Sequence, residues 1–161
     1  AGIQRLRHHI QSASDGYREE VWVFKFDISG YFMHLPRVEL YKRAIWGLDR
    51  QFGDNKNWRY DILKFLWREI IFDDPCEDVV KKGRLSDWDA LPEDKSMFVQ
   101  PPGQGIVIGN LTSQLLSNIY LDVLDRYIMF DLGLKHYGRY VDDFWLIDES
   151  KEKLQDRGRR L

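Results

Sequence analysis

Asp142 and Asp143 adjoin within Tyr137-Gly-Arg-Tyr-Val-Asp-Asp-Phe-Trp-Leu-Ile147, a run that is otherwise largely aromatic and aliphatic. Two ionised carboxylates held that close repel each other unless a cation lies between them. Mg²⁺ is the natural partner, because it takes carboxylate oxygens and keeps positions open for substrate phosphates. Apolar residues on both sides of the pair predict a β-hairpin whose tight turn carries both acids to the edge of a buried sheet. A third carboxylate is then expected, and Val21-Trp-Val-Phe-Lys-Phe-Asp-Ile28 supplies it. This segment is β-branched or aromatic at almost every position and ends on Asp27, just before Ser29-Gly30. Strand alternation places Trp22, Phe24, Phe26 and Ile28 on one face and Val21, Val23, Lys25 and Asp27 on the other. If this strand pairs beside the hairpin, Asp27 and Asp142 converge on a shared metal pair, with Asp143 close by.

A second pattern suited to chemistry is the glycine-rich stretch Pro101-Pro-Gly-Gln-Gly-Ile-Val-Ile-Gly-Asn110, which runs directly into the strongest helix of the chain. Leu115, Leu116, Ile119, Tyr120, Val123, Leu124, Tyr127 and Ile128 share one wide face of that helix, and Gly133 stands just past its C-terminus. Glycines let a backbone approach a nucleotide or base pair where a side chain would clash, and a helix N-terminus favours anionic groups. Taken alone, Gly105 and Gly109 serve equally well as turn glycines.

The elements that must position these residues make an α+β pattern. Ile3, Leu6 and Ile10 predict a short amphipathic helix that ends before Ser14-Asp15-Gly16. Pro36 opens a helix from Arg37 to about Trp46 or Leu48, with Gly47 marking its end. Trp58 to Phe72 predicts another, with Ile62, Leu63, Phe65, Leu66, Glu69, Ile70 and Phe72 as its apolar stripe. Asp73-Asp74-Pro75 stops it, and these two acids read as solvated helix-end groups. From Cys76 to Gln100 a long connection is expected, with Lys95-Ser-Met-Phe-Val99 as a brief edge strand. A last helix follows Ser150.

Composition narrows the classes. A chain of 161 residues predicts a single compact unit. Its 43% hydrophobic content, with six Trp, eight Tyr and nine Phe, excludes a disordered chain. A formal net charge of −2 sets up no bulk field for a nucleic acid, so Arg5, Arg7, His8 and His9, and Lys151, Lys153, Arg157, Arg159 and Arg160, read as solvated faces. The single Cys76 excludes an internal disulfide and a cysteine zinc site and fits a reducing compartment. His34 and His136 add no ligand spacing to the adjacent His8-His9 pair. No apolar run approaches the ~20 residues that span a bilayer, so no membrane partner and a cytoplasmic location are expected.

Phe24-Lys-Phe-Asp-Ile-Ser-Gly-Tyr-Phe-Met-His34, Gly105-Ile-Val-Ile-Gly-Asn-Leu-Thr-Ser-Gln-Leu-Leu-Ser-Asn-Ile-Tyr-Leu121 and Tyr140-Val-Asp-Asp143 together resemble the successive palm motifs of a reverse transcriptase. Group II intron and retron enzymes usually carry Gln-Gly and then Ser-Pro in the glycine motif, where this chain has Ile108-Gly109 and then Ser113-Gln114. That departure, and Lys95-Ser-Met-Phe98, resemble the branch found in diversity-generating retroelements, which copy a template RNA with errors concentrated at adenines. The resemblance implies a polymerase palm, a ferredoxin-like antiparallel sheet with packed helices, plus part of the fingers. Residues 21–74 and 101–161 would form the palm core, and about 1–20 and 75–100 fingers or connecting parts. It implies Asp27, Asp142 and Asp143 as ligands of two Mg²⁺ ions in nucleotidyl transfer, and Phe32 as the steric gate against a ribose 2′-hydroxyl. Gly109, Asn110, Ser113 and Gln114 match the loop that touches nucleotide and template, Tyr140 of the hairpin motif is implied as a further nucleotide- or template-binding residue, and Ile108 stands where a hydrogen-bonding glutamine is usual. A site stripped of such a bond rejects mismatches less well. Implied partners are template RNA, primer, dNTPs and a small accessory protein, in a bacterial or phage-encoded setting. A basic fingers segment, a further palm motif and a thumb are not found in these residues, so the chain is expected to be part of a longer enzyme and to extend primers poorly alone. Three other readings compete: an intron or retron enzyme, another two-metal enzyme such as a nuclease or nucleotide cyclase, and a non-catalytic palm that binds nucleic acid or protein.

Overall fold

Phe144, Trp145, Leu146 and Ile147 are all buried, which requires a strand covered on both faces. In the computed structural model, which describes residues 2–77 and 79–161, they lie in β3 (Asp143–Asp148). β3 is the centre of a three-stranded antiparallel sheet, with β1 (Trp22–Phe26) on one side and β2 (His136–Tyr140) on the other. The protein is therefore α+β with a small antiparallel sheet. Its length predicts one compact unit, yet the chain divides into two, Ala1–Ile28 with Leu121–Leu161, and Ser29–Tyr120.

In the first unit, Phe144 and Leu146 join Ile128, Leu132, Leu134 and Leu154 in a core that Trp22, Phe24 and Phe26 complete from β1. Leu154 belongs to α7 (Lys151–Arg159), which is capped by the Ser150 hydroxyl accepting from Lys153 N–H. Trp145 and Ile147 point the other way, onto Ala13, Leu6 and Ile10 of α1 (Gly2–Ala13). The alternation expected of β1 is present: Trp22, Phe24 and Phe26 are half-buried, Val23 and Lys25 exposed.

Gly138 of β2 pairs with Trp145 of β3. A Cβ at this position would lie 2.3 Å from the indole ring, too close for any side chain. Gly138→Ala is therefore expected to lower unfolding free energy by about 1–3 kcal/mol, the cost of overpacking a filled core. Urea unfolding monitored by Trp fluorescence checks this, and an unchanged midpoint would mean that the indole swings clear.

The second unit contains α2 (Tyr31–His34), α3 (Arg37–Phe52), α4 (Trp58–Phe72), α5 (Leu85–Asp89) and the first part of α6 (Leu111–Arg126), a helix that a π-helical turn, Tyr127–Asp131, prolongs. Three expectations are corrected here. α3 runs through Gly47 and ends at Gly53 (φ 52°), whose N–H bonds to Asp49. Leu40, Ala44 and Leu48 form one buried stripe across that point, and burying a leucine outweighs the ~1 kcal/mol of an internal glycine. α4 buries Tyr60 and Ile71, whereas Ile62, Phe65, Leu66, Ile70 and Phe72 of the expected stripe are exposed. Apolar residues encircle α4, and the Tyr60 hydroxyl donating to Asp49 Oδ1 of α3 at 2.9 Å selects the inward side. Lys95 to Val99 forms no strand. Two 3₁₀ turns, Glu93–Lys95 and Met97–Val99, take its place, closed by the Gln100 amide donating to the Glu93 and Ser96 carbonyls. Among the described residues no helix is long and apolar enough to cross a membrane.

Candidate active site

Tyr140 pairs with Asp143, so the hairpin turn consists of Val141 and Asp142. Val141 adopts φ 60°. A positive φ at the first turn position suits the right-handed twist of the strands, as in type II′ turns, but the usual residue is glycine and a β-branched side chain there is strained. A clamp holds it. Arg139 donates from Nη1 to the Val141 carbonyl at 2.8 Å, and its Nε and Nη2 fork onto the Asp125 carboxylate at 2.8 and 2.7 Å. The Tyr137 hydroxyl donates to the same carboxylate at 2.5 Å. The Arg139 side chain is only 8% exposed, so its charge depends on Asp125. Burial opposes that charge, and the hydrogen bonds and charge of Asp125 more than offset it, raising the Arg139 pKa. Burial, and then the bond to Asp125, push the Tyr137 phenol well above its ordinary value.

Asp27 is the first residue beyond β1. Phe26 pairs with Phe144, and one further step of that register sets Asp27 opposite Asp143. Lys25, on the same face as Asp27, pairs with Trp145 and sends its ammonium to Asp143 Oδ1 at 2.8 Å. The hydrogen bond and charge of Asp143 raise the Lys25 pKa, and Asp27 and Asp142 add attraction. Of the three expected carboxylates, Asp143 is the one that pairs with this ammonium among the described residues. Among the described residues no three His, Cys, Asp or Glu side chains form a group ready to hold a metal ion. Even so, the donors suit Mg²⁺ in type, all carboxylate and at least partly exposed, and one of them, Asp143, already holds a cation, the Lys25 ammonium. Tyr140 is exposed beside Asp143.

The remaining expected site residues belong to the second unit. Phe32 is half-buried in α2, its ring edge-on to Tyr31 at 5.2 Å. The Tyr31 hydroxyl donates to the Ser117 carbonyl of α6 at 3.2 Å. The start of the glycine loop is laced to the chain that follows Phe32. Ile106 N–H donates to the Phe32 carbonyl, Gly105 N–H to Leu35, and Arg37 N–H to Gly103, at 2.9, 2.9 and 3.0 Å. Buried Arg37 adds Nε to the Gly105 carbonyl at 2.8 Å and Nη1 to the Asp73 carbonyl at 2.9 Å. Gly105 has φ 80°, and a Cβ there would meet the Met33 carbonyl at 3.0 Å and Met97 Sδ at 2.9 Å, so only glycine suits this crossing. The loop beyond is free: Ile108 is 62% exposed, and Gly109, Asn110 and Gln114 are exposed too. Ser113 is buried and faces a cavity of about 420 Å³ that Arg37, Asn110 and Thr112 also line.

Asp27, Tyr140, Asp142 and Asp143 thus share the first unit, and Phe32, Ile108, Gly109, Asn110, Ser113 and Gln114 the second. Asp125, Tyr137, Arg139 and Arg37 are absent from the expected site. A signal for part of this existed. Tyr137 and Arg139 alternate onto the face where Phe144 and Leu146 lie, and a buried arginine among such residues needs a carboxylate. Which carboxylate it finds depends on the fold. No family model matches the chain, and no curated protein sequence matches it.

Proposed function

We propose that the chain is the palm and part of the fingers of a reverse transcriptase, most like those of diversity-generating retroelements, which copies a template RNA into cDNA from dNTPs. The observation that carries this reading is the sheet edge, where one further step of the strand register sets Asp27 opposite Asp143, beside the turn residue Asp142. In that reading the three carboxylates hold Mg²⁺, which when bound activates the attacking hydroxyl and neutralises the leaving pyrophosphate. The chain itself supplies position. Arg139 and Asp125 keep the strained turn closed, so that Asp142 and Asp143 meet a cation without reorganising. Phe32, anchored through its carbonyl, acts as the bulky neighbour of the sugar. Gly109, Asn110 and Gln114, all exposed, are open to nucleotide and template. Ile108 offers that pair an apolar contact and no side-chain hydrogen bond, a site that discriminates weakly.

RNA-templated primer extension by the full-length protein, with and without a small accessory protein and with products sequenced, tests this. Mg²⁺-dependent synthesis that stops with EDTA, with errors heaped at template adenines, is the expected result. Accurate synthesis would move the enzyme to the intron or retron class, and no synthesis with any divalent metal would leave a binding scaffold.

A further inference from the structure

We infer that Lys25 is the resident counter-ion of the carboxylate edge, and that a divalent cation enters by displacing its ammonium from Asp143; the inference rests on those carboxylates being the metal site. Strand alternation puts Lys25 two residues before Asp27 on the same face. Antiparallel register then lays it across from Trp145, diagonal to Asp143. From there its ammonium reaches Asp143 Oδ1 at 2.8 Å. No other cationic side chain has an ion pair with Asp27, Asp142 or Asp143 among the described residues.

The strength of the pair decides what it does. The Lys25 and Asp143 side chains are 67% and 41% exposed, so water and salt screen their attraction and the bond is weak. A compact ammonium on a flexible four-carbon stem leaves readily. A divalent ion brings twice the charge and draws on several carboxylates together, so it wins the exchange, but only after meeting a competitor. Lys25 thereby quiets the repulsion of three acids at one edge while no metal is bound, and sets the concentration at which metal takes over.

Mn²⁺ binding measured by electron paramagnetic resonance on the full-length protein separates the possibilities, with wild type, Lys25→Met, Lys25→Arg and Asp143→Asn compared at one pH and ionic strength. Lys25→Met is expected to bind Mn²⁺ about 1.5- to 5-fold more tightly, the range that the modest strength of an exposed ion pair allows. Lys25→Arg keeps the competitor and is expected to stay at or below wild-type affinity. In wild type, added Mg²⁺ is expected to shift the Lys25 side-chain NMR resonance, with no shift in Asp143→Asn. Affinity unchanged or weakened in Lys25→Met overturns the exchange while leaving the metal site intact. Equal Mn²⁺ uptake by wild type and Asp143→Asn removes the metal-site reading itself, and this inference with it.

Discussion

Replacing Asp142 and Asp143 together by asparagine is expected to lower the rate of templated synthesis by on the order of 10³-fold or more, since a single well-placed electrostatic contact is worth ~10²–10³ in kcat. Asparagine matches aspartate in size and is at home in turns, so Val141 and its neighbour keep their conformation. Arg139 holds the turn through the Val141 carbonyl and Asp125, neither of which is touched. What vanishes is charge, two of the three negative groups around the Lys25 ammonium. Because the Lys25–Asp143 pair is exposed, its loss barely changes stability. The melting temperature is therefore expected to stay within a few degrees of wild type while primer extension disappears. Retained synthesis in a folded double variant would show that the aspartates do not carry the chemistry. A collapsed melting curve would instead assign them a structural role.

Local pattern carries a good part of this fold and stops at identifiable places. The two-residue period of Trp22, Phe24 and Phe26 is visible in order and survives in space, because a strand with one apolar face has one stable register. The hairpin is legible for the same reason, since the buried run Phe144 to Ile147 must be central. α4 shows the limit. A helix with apolar residues on all sides has no single best face, and Tyr60 meeting Asp49 decides which one is buried. Gly47 misleads in the opposite direction, because the helix-breaking tendency of one glycine is smaller than the burial of Leu48 one residue later. In the candidate site, acidic residues beside apolar strands are conspicuous from order alone, whereas their supports are not. Asp125 and Arg139 are 14 residues apart, and nothing local joins them. Lys25 reads as an ordinary exposed strand residue until antiparallel pairing lays it diagonal to Asp143.

Asp125→Ala is expected to be the most damaging single change to stability, costing about 3–5 kcal/mol, because it strands a buried guanidinium without its carboxylate. Arg139 loses both forked bonds, and Tyr137 loses the acceptor of its hydroxyl. Without that carboxylate, the Arg139 side chain turns towards water and releases the Val141 carbonyl, so the strained φ of Val141 relaxes. The double variant Asp125→Ala, Arg139→Met is expected to recover a substantial part of the loss, since removing both charges also removes the unpaired one. Tyr137→Phe removes only a neutral donor and is expected to cost about 1 kcal/mol. The cluster also has a pH signature. The folded state holds the Tyr137 proton to higher pH than the unfolded chain does. Stability from that bond is thus complete below the ordinary phenol pKa near 10 and is lost progressively above it, a slope that Tyr137→Phe abolishes. Urea unfolding of the four proteins at neutral pH, repeated above pH 10 for wild type and Tyr137→Phe, reads all of these. An Asp125→Ala loss below ~1 kcal/mol, or a double variant no more stable than the single, would mean that water already serves Arg139 and that the turn is held by the strands alone.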